Sequence, residues 1–453
     1  MLPTLSPHQE GAVRAAVEWF QDGPVAQDFF YLAGYAGTGK STILPSIISA
    51  LGVRLSDVAF CAPTGKAAKV MGEKLFAAGI RNIPTTIHSL IYIPNAQRVD
   101  MLLAESEALV KKIDRLKSEM FIDCKPGMQA ELDEAEGNLK AVDAELTDAL
   151  RAKSAGLSFS VNEKSILWGR DATEDAPAMG AKKLIVVDEA SMVDEQIAAD
   201  LMTFDIPILA IGDPGQLPPV RGNAGLTNKR PSYFLDEIHR QALDSPIIRL
   251  SQEVRNGKSL QLGNYGDSVR IIDRFHDDVS YDPDFAAQII CGTNKRRWAI
   301  TRKLRDAMKL PEHPVADEPL IVCKNHKDYG LVNGEFVRPM ADAKPFRVGD
   351  RGFPLKIQTE GGLELDVMAV QGLFEEHKAM EAGFASCGDR GAHYAKREYL
   401  NLDWGWAITC HKSQGSQWDH VIVHDEASVF RDDAARWRYT AITRAAKGLT
   451  VVV

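Results

Sequence analysis

Short apolar runs alternate with longer amphipathic segments over much of the chain. The runs lie at 29–32, 58–61, 184–187, 206–211, 287–291, 406–409, 421–423 and 449–453. Apolar runs of this length, without alternating polar positions, are typical of strands buried on both faces of a parallel sheet. The segments 8–20, 42–51 and 294–308 have the pattern of helices that lie between such strands. The pattern therefore predicts an α/β protein with two successive doubly wound parallel sheets.

The segment 99–152 interrupts this pattern with a different periodicity. Apolar or small residues recur there in alternating three- and four-residue steps, at Leu109, Ile113, Leu116 and Met120 and then at Leu132, Ala135, Leu139, Val142, Leu146 and Ala149. A Lys125-Pro126-Gly127 break separates the two runs. The spacing predicts two antiparallel helices in a coiled-coil hairpin with arms on the order of 30 Å long. It leaves open whether the hairpin projects as an arm or packs onto the body as ordinary core.

The segment 318–396 has a third kind of pattern. Short β-like runs at 319–323, 334–338 and 364–370 are separated by glycine-rich turns. Such closely spaced short strands predict a small β-barrel-like insertion within the second α/β pattern.

Length and charge limit the interpretation only loosely. At 453 residues the chain exceeds what one hydrophobic core usually supports, which favours two to four domains. The net charge of −9 is concentrated in 100–150, where thirteen acidic and six basic residues give −7. The remainder is close to neutral and can carry local basic surfaces, so the overall charge does not exclude a nucleic-acid partner.

The cysteines and the N-terminus exclude several classes of protein. Six cysteines are scattered without any C-x-x-C spacing, so neither a zinc site nor a disulfide framework is predicted. No run approaches the roughly 18 apolar residues of a membrane span, and Met1-Leu2-Pro3-Thr4 does not begin a secretory leader. We therefore expect a cytoplasmic protein with no membrane partner and with reduced, mostly buried thiols.

The segment Gly34-Tyr35-Ala36-Gly37-Thr38-Gly39-Lys40-Ser41 matches the pattern G-x-x-x-x-G-K-[ST] between a predicted strand and a predicted helix. Glycines let backbone N–H groups surround phosphates, while the lysine reaches the β- and γ-phosphates and the hydroxyl ligates Mg²⁺. The helix N-terminus also favours the anion. The predicted nucleotide-binding residues are Gly34, Gly37, Thr38, Gly39, Lys40, Ser41 and Thr42.

A second signature, Asp188-Glu189, ends the apolar run 184–187. Parallel strands deliver such residues to the carboxyl edge of the sheet, where the sites of α/β proteins lie. Asp188 is predicted to hold Mg²⁺ together with Ser41, and Glu189 to orient and deprotonate the attacking water. The two signatures together predict nucleotide hydrolysis.

Further segments occur in an order that resembles the superfamily 1 helicases, most closely the RecD/Dda-like branch, superfamily 1B. The segments are 5–9, 61–68, 85–90, 212–219, 239–241, 408–418 and 439–445. The resemblance extends from Gln9 to Lys447 and is weakest in the two insertions. The segment 212–219, Gly-Asp-Pro-Gly-Gln-Leu-Pro-Pro, is the most specific of these because many turn-forming residues follow a buried strand.

The resemblance implies further roles in the nucleotide site. Gln9 would read the adenine edge with one donor and one acceptor, and Gln216 would sense the γ-phosphate. Arg240 and Arg444 would be arginine fingers from the second motor domain, because guanidinium groups stabilise charge that develops on a transferred phosphoryl group. ATP and Mg²⁺ are the implied cofactors.

The resemblance also implies contacts with a nucleic-acid strand. The implied residues are Thr64, Lys66, Thr86, His88, Asn294, Thr409, His411 and Lys412. Two alternatives remain open at this point: Thr64 also suits a helix N-cap, and His88 also suits a hydrogen-bonded core histidine. Asn294 and Arg297 begin a helix that resembles a DNA-contacting segment, and solvated basic residues at a helix start are the competing interpretation.

The domain organisation implied by the resemblance is two RecA-like motor domains, each with an insertion. The first motor domain would comprise 1–93 and 165–232, with the helical coiled-coil insertion at 94–164, where relatives carry a strand-splitting pin. The second would comprise 233–317 and 397–453, with an SH3-like β insertion at 318–396. The segments 159–161 and 166–168 are expected to be strands at the base of a residual pin.

The implied function is that of an ATP-dependent DNA helicase. It would move 5′-to-3′ on single-stranded DNA and unwind tailed duplex DNA in replication, recombination or repair. A strand-stimulated translocase that remodels protein–DNA complexes without unwinding, and an ATP-dependent clamp, are the alternatives. We expect a monomer in a bacterial or phage-infected cell, with a protein partner bound to the acidic hairpin 100–152.

Overall fold

The computed structural model describes residues 5–23, 29–122, 127–154, 159–161, 182–220, 222–237, 244–275, 287–326, 328–345, 352–371, 374 and 399–453. The chain divides into two compact units. One, the body, comprises Met1–Thr86 and Lys183–Val453, and the other, the insertion unit, comprises Ile87–Lys182.

The described helices and strands are each numbered in chain order. The helices are α1 (Pro7–Gln21), α2 (Lys40–Leu51), α3 (Gly65–Ala77), α4 (Ile87–Ile91), α5 (Asn95–Ile122), α6 (Met128–Ser154), α7 (Glu195–Met202), α8 (Pro246–Arg255), α9 (Asn294–Ala307), α10 (Cys410–Ser413) and α11 (Ala434–Ile442). The strands are β1 (Phe29–Gly34), β2 (Val58–Ala62), β3 (Thr85–Thr86), β4 (Tyr92–Pro94), β5 (Phe159–Val161), β6 (Leu184–Val187), β7 (Ile208–Gly212), β8 (Tyr233–Leu235), β9 (Gly263–Tyr265), β10 (Val269–Ile272), β11 (Ala287–Cys291), β12 (Leu320–Val322), β13 (Phe336–Pro339), β14 (Gly352–Thr359), β15 (Glu364–Val370), β16 (Leu402–Trp404), β17 (Ala407–Thr409), β18 (Trp418–His424) and β19 (Ala445–Val452).

The first sheet of the body has the order β3-β2-β6-β7-β1-β8, and its strands are parallel. β1, β2, β6 and β7 are buried along their whole length, as their continuous apolar sequences predict. α1 begins with a capping box in which Ser6 and Gln9 exchange hydrogen bonds, and Pro7 occupies its first turn. The apolar faces of α1 and α2 pack onto this sheet in one core cluster.

The second sheet has the order β17-β11-β18-β19-β10-β9. Its strands are parallel except for β9, which pairs antiparallel with β10. α8 and α11 pack on it, and Trp437 of α11 is fully buried in the core. The prediction of two RecA-like parallel-sheet domains is thus confirmed.

A third sheet of the body has the order β15-β14-β13-β12-β16 and is antiparallel throughout. β14 alternates strictly between buried and exposed positions, which is typical of a strand with one face on a core. The predicted β-rich insertion is therefore present as a five-stranded sheet around its own apolar cluster.

Two strands lie beyond the predicted domain boundaries. β8, Tyr233–Leu235, pairs with β1 in the first sheet, although the second motor domain was predicted to begin at 233. β16, Leu402–Trp404, pairs with β12 in the third sheet, although the insertion was predicted to end at 396. Pairing with distant strands, rather than the local sequence, assigns these short segments to their sheets.

The insertion unit contains the predicted helical hairpin. α5 and α6 have 28 and 27 residues, which corresponds to about 40 Å each, somewhat longer than predicted. Their seam is formed by two apolar clusters, which contain Val99, Leu102, Ile113, Leu116, Leu132, Ala135, Val142 and Ala149. β4 and β5 form an antiparallel pair in the same unit, so the predicted strand 159–161 is confirmed. The second predicted pin strand, 166–168, lies outside the described residues.

The described cysteines Cys61, Cys291 and Cys410 are buried, and Cys323 is half-buried. Burial raises the thiol pKa of Cys291 and Cys410 to about 12. Among the described helices, none combines the length and the apolar composition needed to cross a bilayer.

Candidate nucleotide and nucleic-acid sites

The phosphate-binding loop connects β1 to α2 at the carboxyl edge of the first sheet. Gly37 and Gly39 have φ values of 83° and 78°, in the left-handed region that glycine adopts without strain. A Cβ on Gly34 would lie 2.7 Å from Thr38 Oγ1 and 3.0 Å from the carbonyl oxygen of Leu235. The loop conformation thus depends on glycine at each of the predicted positions, and it forms a cradle for an anion.

The side chain of Lys40 is held against this loop by two backbone carbonyl groups of the loop. Its Nζ donates to the carbonyl oxygens of Gly34 and Tyr35 at 2.6 and 2.9 Å and lies 3.7 Å from Asp213 Oδ2. Thr38 Oγ1 also donates to the Tyr35 carbonyl, at 2.8 Å. The ammonium group is therefore placed at the mouth of the loop, where phosphate oxygens are stronger acceptors than the carbonyls.

Ser41 and Thr42 stand in the first turn of α2. Ser41 Oγ accepts a hydrogen bond from Lys74 Nζ of α3 at 3.2 Å. The backbone N–H of Thr42 donates to the Gly39 carbonyl at 2.9 Å, and its side chain is exposed. A nucleotide contact of Thr42 remains a prediction.

The two acidic residues follow β6 directly. Asp188 Oδ1 accepts from the backbone N–H of Glu189 at 2.9 Å. Glu189 has a φ of 53°, a conformation that costs a non-glycine residue on the order of 1 kcal/mol. Burial, and then the neighbouring Asp188 carboxylate, raise the pKa of Glu189, while Arg444 and Lys40 act in the opposite direction. A raised pKa suits a general base that works near neutral pH.

The turn 212–219 follows β7 and borders the same cleft. Asp213 is buried, and its Oδ1 accepts from the backbone N–H of Gly215 at 2.9 Å. Gln216 is also buried, and its Oε1 has no hydrogen-bond partner among the described residues. An unpaired buried oxygen is costly, so this group is arranged to meet a ligand or a water molecule.

The second parallel-sheet domain contributes Arg444, which lies between α11 and β19. Its guanidinium donates to the Thr440 and Ser416 carbonyls at 3.1 and 3.3 Å and to Thr443 Oγ1 at 3.2 Å. Arg444 therefore reaches the cleft with its side chain already oriented. The other predicted arginine finger, Arg240, lies outside the described residues.

These groups line one cleft of about 440 Å³ between the two parallel-sheet domains. The lining includes Lys40, Ser41, Asp188, Glu189, Gln216, Gln417, Thr443 and Arg444. A phosphate cradle, cationic groups from both domains and an unpaired Gln216 oxygen fit a nucleoside triphosphate. The Ser41 hydroxyl and the Asp188 carboxylate are oxygen donors of the kind that Mg²⁺ prefers.

A family model described as an AAA domain matches residues 4–274, more than half of the chain. The chain belongs to this AAA-domain family, among the RecD-like superfamily 1B helicases. A second model, described as a UvrD-like helicase C-terminal domain, matches residues 405–452, which include Arg444.

Two curated relatives and a solved structure are similar to the chain. The conjugal transfer protein TraA of Rhizobium radiobacter is 25% identical over 312 residues, a match that covers 64% of this chain and 26% of that protein. The ATP-dependent RecD2 DNA helicase of Deinococcus radiodurans is 25% identical over 276 residues, with 58% and 35% coverage. The chain therefore spans about a third or less of the length of these relatives. A structure of two coordinating Pif1 helicases at forked duplex DNA has the same fold, with a TM-score of 0.51, 15% identity and coverage of 100% and 92%.

The superfamily 1B resemblance assigned adenine recognition to Gln9, and the structure places this residue beside the phosphate-binding loop. Gln9 is only 3% exposed. Its Oε1 accepts from the Ser6 backbone N–H at 3.1 Å, and its Nε2 donates to the Thr38 carbonyl at 3.4 Å. Both ends of the amide are thus engaged within the protein, and a contact with adenine would have to replace these hydrogen bonds.

Of the predicted strand-contacting residues of this superfamily 1B chain, Thr64 and Lys66 lie at the start of α3. Thr64 Oγ1 accepts from the Ala67 backbone N–H at 3.2 Å, which is the N-cap interaction of the alternative interpretation. Lys66 Nζ forms an ion pair with Glu360 in the turn between β14 and β15, and Lys69 forms one with Glu335, which directly precedes β13. Two lysines of α3 are therefore paired with carboxylates of the β-rich insertion.

Thr86 and His88 fall into different units of the molecule. Thr86 ends β3 in the body, and His88 lies on α4 in the insertion unit. His88 is exposed, with its ring 5.3 Å from that of Tyr92, so the interpretation as a core histidine is wrong.

Asn294, Thr409, His411 and Lys412 belong to the second parallel-sheet domain. Asn294 is exposed at the start of α9, and Thr409 caps α10 by accepting from the Lys412 backbone N–H at 3.4 Å. Burial lowers the pKa of His411, so its ring is neutral at neutral pH. Lys412 Nζ lies 3.5 Å from the sulfur atom of Cys323.

Arg297, one turn into α9, is 3% exposed and forms a 2.7 Å ion pair with the buried Asp403. Neither proposed interpretation, a strand contact or a solvated base, is correct for Arg297. It links α9 to the third sheet from within the core.

Two residues that contact the phosphate-binding loop were not predicted from the sequence. Arg255, at the end of α8, lies with its guanidinium carbon 3.4 Å from the centre of the Tyr35 ring. Tyr439 of α11 contacts Asp213 and the phosphate-binding loop. Tyr439 lies in the recognised segment 439–445, from which only Arg444 was predicted as a site residue. No local signal marks Arg255, because its position depends on contact between the two domains.

Proposed function

We propose that this protein is an ATP-dependent DNA helicase that moves 5′-to-3′ on single-stranded DNA and unwinds tailed duplex DNA. The observation that carries the proposal is the cleft in which Lys40 and Glu189 of the first parallel-sheet domain meet Arg444 of the second. A site completed by both domains links hydrolysis to their relative movement.

The residues of the cleft have separate tasks. ATP with Mg²⁺ would supply the phosphoryl group and neutralise part of its charge. Lys40 would exchange its carbonyl partners for phosphate oxygens, and Ser41 and Asp188 would hold the cation. Glu189 would accept a proton from the attacking water, and Arg444 would stabilise the negative charge of the transition state.

Directed movement requires that the two domains grip the strand differently in different nucleotide states. Candidate contacts lie on both domains, with Thr64 and Lys66 on the first and Thr409 and Lys412 on the second. The name of the RecD2 relative includes both ATP dependence and DNA, and that of the Pif1 structure includes DNA. These names support ATP as the energy source and DNA as the substrate. The 5′-to-3′ direction follows from the superfamily 1B resemblance.

The acidic hairpin of α5 and α6 is proposed to dock a protein partner of the monomeric motor. Its acidic surface would repel a phosphate backbone, which argues against a role in gripping DNA. Apolar side chains on α5, among them Met101, Leu103 and Val110, are exposed and suit a protein contact.

The test is ATP hydrolysis measured with and without a single-stranded oligonucleotide. We expect turnover that rises on adding the strand and that is lost in Lys40→Ala. Lys447→Ala is the matched control, because Lys447 is exposed and pairs only with Asp419 among the described residues. A protein that hydrolyses ATP equally with and without the strand would contradict a DNA motor, and a Lys40→Ala variant that retains turnover would contradict the site.

A further inference from the structure

Tyr439 connects the second parallel-sheet domain to two parts of the nucleotide cleft in the first. Its hydroxyl lies 2.8 Å from Asp213 Oδ2 and 2.8 Å from the backbone nitrogen of Ala36 in the phosphate-binding loop. The side chain is 1% exposed, so water does not compete for either hydrogen bond. A single oxygen atom thus contacts the loop and the 212–219 turn at once.

The direction of both hydrogen bonds follows from the chemistry of the partners. The backbone N–H of Ala36 is a donor, so the phenol oxygen accepts there. An ionised Asp213 accepts only, so the phenol proton is donated to its Oδ2. Burial, and then the charge of Asp213, raise the pKa of Tyr439, which keeps this proton in place at neutral pH.

The 212–219 turn, which contains Asp213, is held in place by further hydrogen bonds. Asp213 Oδ1 accepts from the Gly215 N–H at 2.9 Å, and Leu217 exchanges hydrogen bonds with Thr440 and Gln414 of the second domain at 2.8 and 3.2 Å. A Cβ on Gly215 would lie 3.0 Å from a ring carbon of Tyr439, so the glycine lets the ring lie against the turn. Hydrogen bonds from Tyr439 and Thr440 therefore join α11 to the 212–219 turn at two points.

The phosphate-binding loop, which contains Ala36, is the part of this connection whose hydrogen bonds a bound nucleotide must change. Lys40 donates to the carbonyls of Gly34 and Tyr35, which directly precede Ala36. When Lys40 turns to a phosphate group, both carbonyls lose the Lys40 donor and the Tyr35 carbonyl keeps its hydrogen bond from Thr38. The Ala36 N–H, which shares a peptide unit with the Tyr35 carbonyl, would then shift relative to the Tyr439 oxygen.

We propose that Tyr439 is a positioning residue whose hydroxyl transmits occupancy of the phosphate-binding loop to the 212–219 turn and to the second parallel-sheet domain. The inference rests on the proposed function, because it takes ATP as the ligand and a DNA strand as what the second domain grips. It assigns Tyr439 to the coupling between the two sites, not to the chemical step.

Coupling is measured as the ratio of two dissociation constants. The ligand is the Mg²⁺ complex of a non-hydrolysable ATP analogue. Its dissociation constant is determined with and without a saturating single-stranded oligonucleotide. In the wild-type protein we expect the strand to change this affinity by about fivefold or more. In Tyr439→Phe the ratio should fall to nearly one, while the affinity without the strand changes by less than about threefold.

The chain offers a matched control in Tyr31→Phe. Tyr31 is also 1% exposed in the body, but its hydroxyl finds no hydrogen-bond partner among the described residues. This variant should keep the wild-type ratio. Combining Tyr439→Phe with Asp213→Asn should lower the ratio no further than either change alone, because both remove the same connection.

The role of Tyr439 and the proposed function are contradicted by different results. A wild-type ratio near one, an unchanged ratio in Tyr439→Phe, or additive losses in the double variant would overturn the inference. Parallel thermal melts identify any variant that is simply unfolded, and Gly215→Ala, which displaces the ring, then serves as the second probe. Absence of strand-stimulated ATP turnover in the wild-type protein would instead overturn the proposed function, which this binding measurement does not require.

Discussion

At the scale of single residues, the left-handed backbone of Glu189 is the clearest sign that the cleft is built for chemistry. Glutamate gains nothing structurally from a φ of 53°, and the conformation places its carboxyl beside Asp188, Lys40 and Arg444. The strain and the electrostatic cost of two adjacent carboxylates are both concentrated at the end of one strand. Such concentration is typical of functional sites.

Glu189→Gln should lower kcat for ATP by about 10²- to 10⁴-fold, because a glutamine cannot accept the proton of the attacking water. The affinity for the nucleotide should change little, since the side chain keeps its size. Glu195→Gln, an exposed glutamate in the first turn of α7, is the control. Turnover within a few-fold of wild type in Glu189→Gln would exclude the assigned base.

The pH dependence of turnover follows from the raised pKa of Glu189. The base works only when ionised, so kcat should decline as the pH falls through this pKa. The decline should begin above the range of an ordinary glutamate, about 4.3. The same shift means that the folded state binds this proton more tightly than the unfolded state, so the group stabilises the fold at low pH and loses that contribution as the pH rises. A kcat that begins to decline only within the range of an ordinary glutamate would contradict the assignment.

The residues that could be predicted from the sequence are those whose chemistry is local. Lys40, Ser41, Asp188 and Glu189 each stand in a contiguous pattern, and the structure brings them to one cleft. The roles that depend on distant partners were not predictable. The hydrogen bond between Tyr439 and Asp213 joins residues 226 positions apart, and no local pattern indicates it.

At the scale of elements, the periodicity of apolar residues was sufficient to predict the hairpin of α5 and α6. The apolar steps predicted which side chains form the seam, and Ile113, Leu116, Leu132 and Ala135 are buried there together. Side chains that repeat every three and four residues share one helix face, and two such faces stabilise each other without further partners.

Leu116→Ala should lower the unfolding free energy of the insertion unit by about 2–4 kcal/mol, because it leaves a cavity in this seam. Leu116 is 2% exposed, whereas Leu103 on the same helix is 45% exposed. Leu103→Ala is therefore the control and should cost less than about 1 kcal/mol. Equal effects of the two changes, measured by chemical denaturation, would mean that the seam does not hold the hairpin.

Other elements were less visible in the sequence. β14 alternates apolar and polar residues at Phe353, Leu355 and Ile357, so its signal was available although it was not among the predicted runs. β8, β9 and β16 have only three residues each, too few for any periodicity. Their positions depend on the strands they pair with.

At the scale of the whole molecule, the third sheet reaches the first parallel-sheet domain through two ion pairs on α3. Glu335 and Glu360 face Lys69 and Lys66. These carboxylates occupy the positions that phosphate groups of a strand would take if Lys66 contacts DNA as predicted. A bound strand would then have to displace the carboxylate of Glu360.

Glu360→Gln should therefore strengthen binding of a single-stranded oligonucleotide by about two- to tenfold, because Lys66 loses its competing anion. The salt dependence of binding should steepen by about one released counterion. Glu364→Gln is the matched control, since Glu364 is half-exposed on the same sheet and pairs with Lys356. Unchanged or weaker binding in Glu360→Gln would mean that Lys66 does not contact the strand.

The central claim of a 5′-to-3′ helicase is tested most directly by unwinding of two matched duplexes with Mg²⁺ and ATP. One duplex carries a 5′ single-stranded tail and the other a 3′ tail of the same length. We predict that only the 5′-tailed duplex opens and that Glu189→Gln opens neither. Opening of the 3′-tailed duplex alone would contradict the direction, and strand-stimulated ATP hydrolysis without opening of either would identify a translocase instead.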